Sequence, residues 1–221
     1  GVKAEDVELI IVGTTSPDMI FPSTSCFLQQ RLGAKSATCF DLAAACSGSV
    51  FSIITAQQYL LTGRYKNALV VGAEVISNFV DWTDRSTCVL FGDGAGACVM
   101  TPVSRGGILA TDMGSDGSAA ELLYIPGGGS KHPSSHSSVD QRLHYLRMNG
   151  GEIFKLATRR MADSAHTVIK EAGLKIEDVN YLIPHQANIR IIQAVAKWAH
   201  LPMEKVFVNV DCYGNTSAAS N

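Results

Sequence analysis

Apolar runs of strand length alternate along this chain with amphipathic segments of helix length, and that alternation leaves few folds open. "ELIIVG" (8–13) reads as a buried strand, and "PSTSCFLQQRLG" (22–33) as a helix with Pro22 in its first turn and Gly33 as its stop. "ATCFDL" is then a strand, "SGSVFSIITAQQYLLTG" a helix ending at Gly63, and "NALVVGAEV" a further strand. Repeated strand-helix-strand units of this kind imply a largely parallel sheet covered by helices, because a parallel neighbour can be reached only by a crossover. "AGACVMTPV" and "GILATDMG" continue as strands, and "GGEIFKLATRRMADSAHTVIKEAG" is a long helix closed by Gly173. Between them, 114–140 with "PGGGSKHPSSHSS" shows no period and reads as a surface excursion or lid.

The two ends of the chain echo each other. "AEDVELIIVGTTSP" parallels "IEDVNYLIPHQAN", and "KSATCFDLAAACSGS" parallels "EKVFVNVDCYGNTSAAS". A duplicated β-α-β unit accounts for both pairs. The chain then divides into a first half (1–113), the excursion (114–140) and a second half (141–221), with the halves expected to pack about a pseudo-twofold axis. Cys46 would close one strand, and His185 and Asn215 two others. Parallel α/β sheets gather their chemistry at the carboxyl ends of strands, so these residues are expected to converge.

Composition narrows the class. The 221 residues are 46% hydrophobic and 17% charged, enough to bury a globular core. No apolar run approaches the roughly 20 residues of a membrane span, and no basic-then-apolar leader opens the sequence, so a cytoplasmic location is expected. Six cysteines (Cys26, Cys39, Cys46, Cys88, Cys98, Cys212) stand in hydrophobic contexts without a C-x-x-C, which favours reduced thiols. The formal charge of −2 excludes a strongly basic nucleic-acid binder. The opening at Gly1 and the ending inside "YGNTSAASN" are expected of a fragment of a longer protein.

Cys46, in "DLAAACSGSV", falls at an expected helix N-terminus, where unpaired N–H groups and the macrodipole favour a thiolate. The dipole contributes about 0.3–1 kcal/mol, up to ~2 where partly buried, which lowers a thiol pKa of ~8.5 by roughly one. An isolated cysteine among alanines is more often plain core. His185 in "YLIPHQANIRI" and Asn215 in "YGNTSAAS" have equally ordinary alternatives, a hydrogen-bonded histidine and a turn or cap asparagine. All three sitting at expected strand-to-helix junctions of one repeated unit is less easily an accident. Cys-His spacing of this length also occurs in papain-like proteases, but their C-G-[SA]-C-[WY] surround is missing. "GDGAGA" (92–97) has glycine rhythm without the lysine of a phosphate loop and fits tight packing better; His132 and His136 sit where no helix would align them as ligands. Arg190 and Lys197, seven apart, with Lys155, Arg159 and Arg160, form either a solvated face or an anionic docking patch.

"DLAAACSG", "FGDGAGA", "PHQANIRI" and "YGNTSAAS", in this order, closely resemble the β-ketoacyl-acyl-carrier-protein synthase III family, condensing enzymes of the thiolase fold in type II fatty-acid synthesis. The resemblance runs along essentially the whole chain, and "PHQAN" with "GNTSAAS" is its most specific part. It implies an α/β thiolase-like fold of duplicated units in α-β-α-β-α layers, truncated at both ends. It implies that Cys46 is acylated and that His185 and Asn215 handle a malonyl thioester. Arg85 in "WTDRST" would help hold coenzyme A together with Asn188, Leu90 and Phe91 would wall the primer pocket, and Phe21 would close the acyl pocket of a neighbouring subunit in a homodimer. Arg190, with Lys197 and Lys155, would dock the acyl-carrier protein. Two positions depart from the family: Gly151 stands where some members have Asn, and Asn221 where an apolar residue is expected. The family's N-terminal region and a C-terminal glycine-rich loop of the oxyanion hole are not in this sequence.

The implied chemistry is acyl transfer from acyl-CoA to Cys46, then decarboxylative condensation with malonyl-acyl-carrier protein to a 3-oxoacyl product, without metal or redox cofactor. The alternatives are another Cys-His-Asn acyltransferase of the fold, such as a chalcone-synthase-like polyketide synthase, and an inactive truncated remnant.

Overall fold

The computed structural model of the protein describes residues 1–220; Asn221, one of the departures noted above, lies outside the described residues. By packing, the chain forms two compact units. One comprises Gly1–Val75, Asp93–Thr111 and the stretch from Thr216; the other comprises Ile76–Gly92 and Asp112–Asn215. These boundaries follow contact, whereas the division expected at 113 and 140 follows the expected duplication of the sequence.

The first unit is built on a four-stranded sheet. β1 (Leu9–Gly13) pairs in parallel with β2 (Thr38–Leu42) on one side and β3 (Ala68–Val75) on the other, and β4 (Asp93–Met100) adds antiparallel to β3, giving the order β2-β1-β3-β4. β1 is buried along its whole length, as its unbroken apolar run requires. Leu9 and Ile11 pack on one face with Ala56 and Leu60 of α2 (Gly48–Leu61); Ile10 and Val12 pack on the other with Ala34, Leu28 and Leu32, the last two from α1 (Thr24–Leu32).

Local chemistry sets the ends of these elements. Pro22 lies just outside α1 rather than in its first turn, since Ser23 takes the N-cap position and its side chain makes no cap bond. The orphan N–H groups of Thr24 and Ser25 donate instead to the Asp41 carboxylate of β2, at 2.7 and 2.9 Å. Gly33 closes α1 at φ +69°, the left-handed turn its position predicts. The strand expected over 107–114 does not form. Gly106 and Gly107 both take positive φ and turn the chain away after β4, and the Ile108 carbonyl meets the Gln57 side chain instead of a strand.

In the second unit α4 (Gly150–Glu171) packs against α5 (Ile189–Trp198). Asn149 caps α4, and α5 buries Ile191, Ile192, Val195 and Ala196 on one stripe. The Gly/Ser/Pro-rich excursion is not featureless. It holds a 3₁₀ turn (Gly117–Leu122) started by Asp116, β5 (Leu123–Tyr124) paired with β6 (Arg147–Met148), and α3 (His136–Asp140) opened by a reciprocal Ser135–Ser138 capping box. The strands expected near 180 and 207 shrink to one parallel bridge, Leu182 to Val206. Two residues on, Pro184 has no N–H with which to extend that ladder. α6 (Val210–Tyr213) then leads to Gly214.

Candidate active site

Cys46 sits two residues before α2, in a 3₁₀ turn (Ala45–Ser47) that follows β2. The turn is reached through Ala45 at φ +46°, a left-handed conformation that costs a residue with a Cβ about 1 kcal/mol. A second turn (Ser217–Ala219) packs on it, entered through Ser217 at φ +50°. Small residues make this approach possible. A Cβ on Gly48 would stand 3.0 Å from Ala218 Cβ, one on Gly13 would lie 2.5 Å from the Gly48 backbone, and one on Gly72 would run into the Ala218 carbonyl. Gly94 of "GDGAGA" likewise faces Thr216, so that motif serves tight packing.

The helix-terminus argument for a lowered thiol pKa does not survive this environment. Burial pushes the Cys46 thiol above its ordinary range, the charge of Glu74 adds to the rise, and a hydrogen bond with the Ser217 side chain works against it. Cys46 is half-buried as a residue, and a thiolate there would have lost much of its hydration.

Glu74 is a residue that sequence reading passed over. It lies on β3, 3% exposed, at the inward position that follows Val70 and Gly72. Its carboxylate accepts from Thr15 N–H (3.1 Å), Thr15 Oγ1 (3.1 Å), Ser16 Oγ (2.5 Å), Ser217 Oγ (3.0 Å) and, more weakly, Thr14 Oγ1 (3.4 Å). An acidic residue on the buried phase of "ALVVGAEV" was the available signal; Ser217, hidden in a run of small residues, offered none.

The second unit holds the other two candidates. His185 follows the buried Pro184, and burial lowers its imidazole pKa to about 4, so the ring is neutral near pH 7. Its neighbour Gln186 is 1% exposed and locks the loop: its amide donates to the Pro184 and Phe207 carbonyls at 2.9 and 3.1 Å, and its Oε1 accepts from Asn209 N–H at 2.9 Å. Asn215, 7% exposed, is fixed through its backbone, donating to Leu90 O (2.8 Å) and accepting from Gly92 N–H (2.9 Å). The structure thus joins Asn215 to Leu90 and Phe91, two residues expected at the primer pocket. Asn215, expected to close a strand, is preceded instead by α6 and Gly214. At φ 68° and ψ −163° Gly214 has a backbone reserved for glycine.

The remaining expected residues scatter over surfaces. Arg85 is exposed between two Asx-type turns, in which Asp81 accepts from Thr83 and Asp84 from Ser86. Its near neighbour Asp81 also pairs with Arg142, and that guanidinium, first among several donors, holds its carboxyl down to about 2. Phe21 is 80% and Ile20 89% exposed. Asn188 caps α5 by accepting from Ile191 N–H at 2.9 Å. Arg190 and Lys197 share the exposed stripe of α5; Lys155 on α4 pairs with Glu152 at 2.8 Å. A Cβ added at Gly151 would meet only the Asn149 side chain, at an ordinary 3.9 Å.

A mixed, mainly parallel sheet with a cysteine turn at the end of one strand defines a thiolase-like condensing-enzyme fold, and solved structures bear this out. The chain superposes on 3-oxoacyl-[acyl-carrier-protein] synthase III of Aquifex aeolicus with TM-score 0.88 at 47% identity, covering 99% of this chain and 67% of that one. For the Thermus thermophilus enzyme the values are 0.89, 41%, 99% and 67%. The family profile for 3-oxoacyl-[acyl-carrier-protein (ACP)] synthase III matches residues 40–117 and its C-terminal counterpart residues 169–221. The β-ketoacyl-[acyl-carrier-protein] synthase III of Clostridioides difficile is 52% identical over 99% of this chain and 67% of its own length. This chain belongs to the β-ketoacyl-acyl-carrier-protein synthase III family, and it spans about two-thirds of the length of these relatives. Among the described residues, no helix is long and apolar enough to cross a membrane.

Proposed function

We propose that this chain carries the reaction centre of an initiating condensing enzyme: Cys46 takes an acyl group from acyl-CoA, and malonyl-acyl-carrier protein then condenses with it to give a 3-oxoacyl-carrier protein. The observation that carries this reading is the Cys46 turn itself, strained at Ala45, packed on the Ser217–Ala219 turn and closed by glycines, in a chain of this family.

In the first half-reaction the Cys46 sulfur adds to the acyl carbonyl, its proton passes to the departing coenzyme A thiolate, and an acyl-enzyme remains. Loss of CO₂ from the malonyl thioester leaves an enolate. A neutral imidazole can donate one N–H to the enolate oxygen without giving up its proton, and the low pKa of His185 supports that role; the Asn215 amide is the second donor. The enolate carbon then attacks the acyl-enzyme, and the Cys46 sulfur leaves as a thiolate and takes a proton from water. Arg85 and Asn188 are assigned to coenzyme A, Leu90 and Phe91 to the primer, and Arg190, Lys197 and Lys155 to the acidic carrier protein. Phe21 is assigned to the acyl pocket of a second subunit; the exposure of Ile20 and Phe21 supports a homodimer.

Coenzyme A release on mixing with acetyl-CoA, with and without malonyl-carrier protein, tests the proposal. One equivalent released without the carrier substrate, and turnover with it, is the expected outcome. No release at all would identify an inactive remnant, and turnover with malonyl-CoA alone would favour a polyketide-synthase-like enzyme.

A further inference from the structure

Glu74 is a buried carboxylate that none of the described ion pairs involves, and its oxygens are met by hydroxyls and a backbone N–H. Burying such a group is costly, and a strand-end turn over 14–16 could be pinned by neutral residues at lower cost. One of its partners differs from the others. Thr14, Thr15 and Ser16 belong to the turn after β1, but Ser217 comes from the far end of the chain, and its hydroxyl also hydrogen-bonds the Cys46 thiol.

A hydroxyl has one proton. Donated to Glu74 Oε1, it leaves Ser217 Oγ as an acceptor facing the sulfur, a geometry that suits a protonated thiol. A thiolate would need the same proton and would compete for it with the carboxylate. The elements packed most closely on the Cys46 turn within this unit are α2 and the Ser217–Ala219 turn. Neither carries an acid, lysine, arginine or histidine, and the titratable side chain of α2, Tyr59, lies near its far end. Glu74 is therefore the charged group facing the thiol in this unit.

We propose that Glu74 is a positioning residue that acts on Cys46 through Ser217, competing with the sulfur for the Ser217 hydroxyl proton so that the resting nucleophile is a thiol. The proposal rests on the reading of Cys46 as nucleophile, but it concerns the state of the sulfur before any substrate arrives. It can therefore be tested by a reagent that needs neither coenzyme A nor carrier protein.

The test is the rate of Cys46 alkylation by iodoacetamide, resolved by peptide mass spectrometry between pH 6 and 9, for the 221-residue protein, Glu74→Gln, Ser217→Ala and the double variant. Glu74→Gln loosens the hold on the hydroxyl proton, and it should speed Cys46 alkylation at pH 7 several-fold, up to about tenfold, by moving the midpoint to lower pH. Ser217→Ala should slow it, because a thiolate loses its donor. In the Ser217→Ala background the Glu74→Gln gain should shrink to under half. An equal gain in both backgrounds would mean that Glu74 acts by charge alone, and no gain would mean that it only pins the turn; either result overturns the proposal. Should Glu74→Gln not fold, Ser217→Ala with an unchanged melting temperature decides the matter, since an unchanged alkylation rate there also overturns it. Acetyl transfer from acetyl-CoA to Cys46 in the unsubstituted protein, followed by intact mass, tests the nucleophile reading separately.

Discussion

The two units place candidate catalytic groups by opposite means. Around Cys46, backbone meets backbone: glycines at 13, 48 and 72 let turns approach more closely than any Cβ would permit, and one buried carboxylate ties together the chain from Thr14 to Ser217. Around His185 and Asn215 there is little regular structure. A buried glutamine amide and a few backbone hydrogen bonds hold an irregular chain in place. The first arrangement tolerates almost no added volume; the second depends on polar partners being present. This contrast matches the roles assigned to the residues, since a nucleophile must be set against one carbonyl carbon, whereas hydrogen-bond donors need only direct an N–H at an oxygen.

The largest effects should come from separating the residues by step. Cys46→Ala is expected to abolish acyl uptake from acyl-CoA while malonyl decarboxylation persists. His185→Ala and Asn215→Ala should retain acyl uptake and lose decarboxylation by roughly 10²–10³ each, the usual worth of an oxyanion donor. Single-turnover acylation by mass spectrometry, run beside CO₂ release, measures both steps. Loss of acylation in His185→Ala would make the imidazole the base of the thiol, as in papain-type enzymes, and the division of roles would fall.

Packing tolerance comes next. Gly72→Ala should destabilise the protein by about 1–3 kcal/mol, because the new methyl runs into the Ala218 carbonyl and backbone must yield. Gly151→Ala, on the first turn of α4 where the new Cβ makes only an ordinary contact with Asn149, should be neutral or stabilising by up to about 1 kcal/mol. Denaturant midpoints for the pair would sharpen the contrast between the units, and equal losses would erase it.

The imidazole gives a pH signature. Its pKa is lowered from 6.5 to about 4 by burial, so on descending through that window the unfolded chain binds the proton first and stability falls. His185→Gln should flatten the dependence of melting temperature on pH between 6.5 and 4, and the two proteins should run parallel above pH 7. A flat profile in the unsubstituted protein would show that His185 is solvated rather than buried.

A smaller effect is expected on the surface. Arg190→Glu should weaken kcat/KM for malonyl-carrier protein several-fold, roughly 1 kcal/mol, and leave acylation by acyl-CoA unchanged, with the difference shrinking as salt is added. Equal use of the carrier substrate by both proteins would reduce the α5 stripe to solvated surface.

Much of the frame was legible from local pattern. The buried run of β1, the helices closed at Gly33 and Gly173 and the capped start of α4 each depend on neighbouring residues, and periodicity reports these faithfully. The motifs around the candidates Cys46, His185 and Asn215 were equally visible, because each is a short run of neighbouring residues. Patterns failed where a nearby breaker outweighed strand composition. "GILATDMG" has strand composition, but Gly106 and its own Gly107 turn it aside, and the strand at 182 stops because Pro184 cannot extend it.

The sequence by itself determined which segments would be buried, which way most of them would fold locally, and which candidate nucleophile and donors the chain carries. Tertiary structure decided the state of those groups. The dipole of a helix terminus, read from sequence, predicted a lowered Cys46 pKa; burial and the facing Glu74 raise it instead. Solvation and Coulomb interactions depend on what lies within a few ångströms in space, and Glu74 and Ser217 reach Cys46 only because β3 and the last turn fold onto the end of β2.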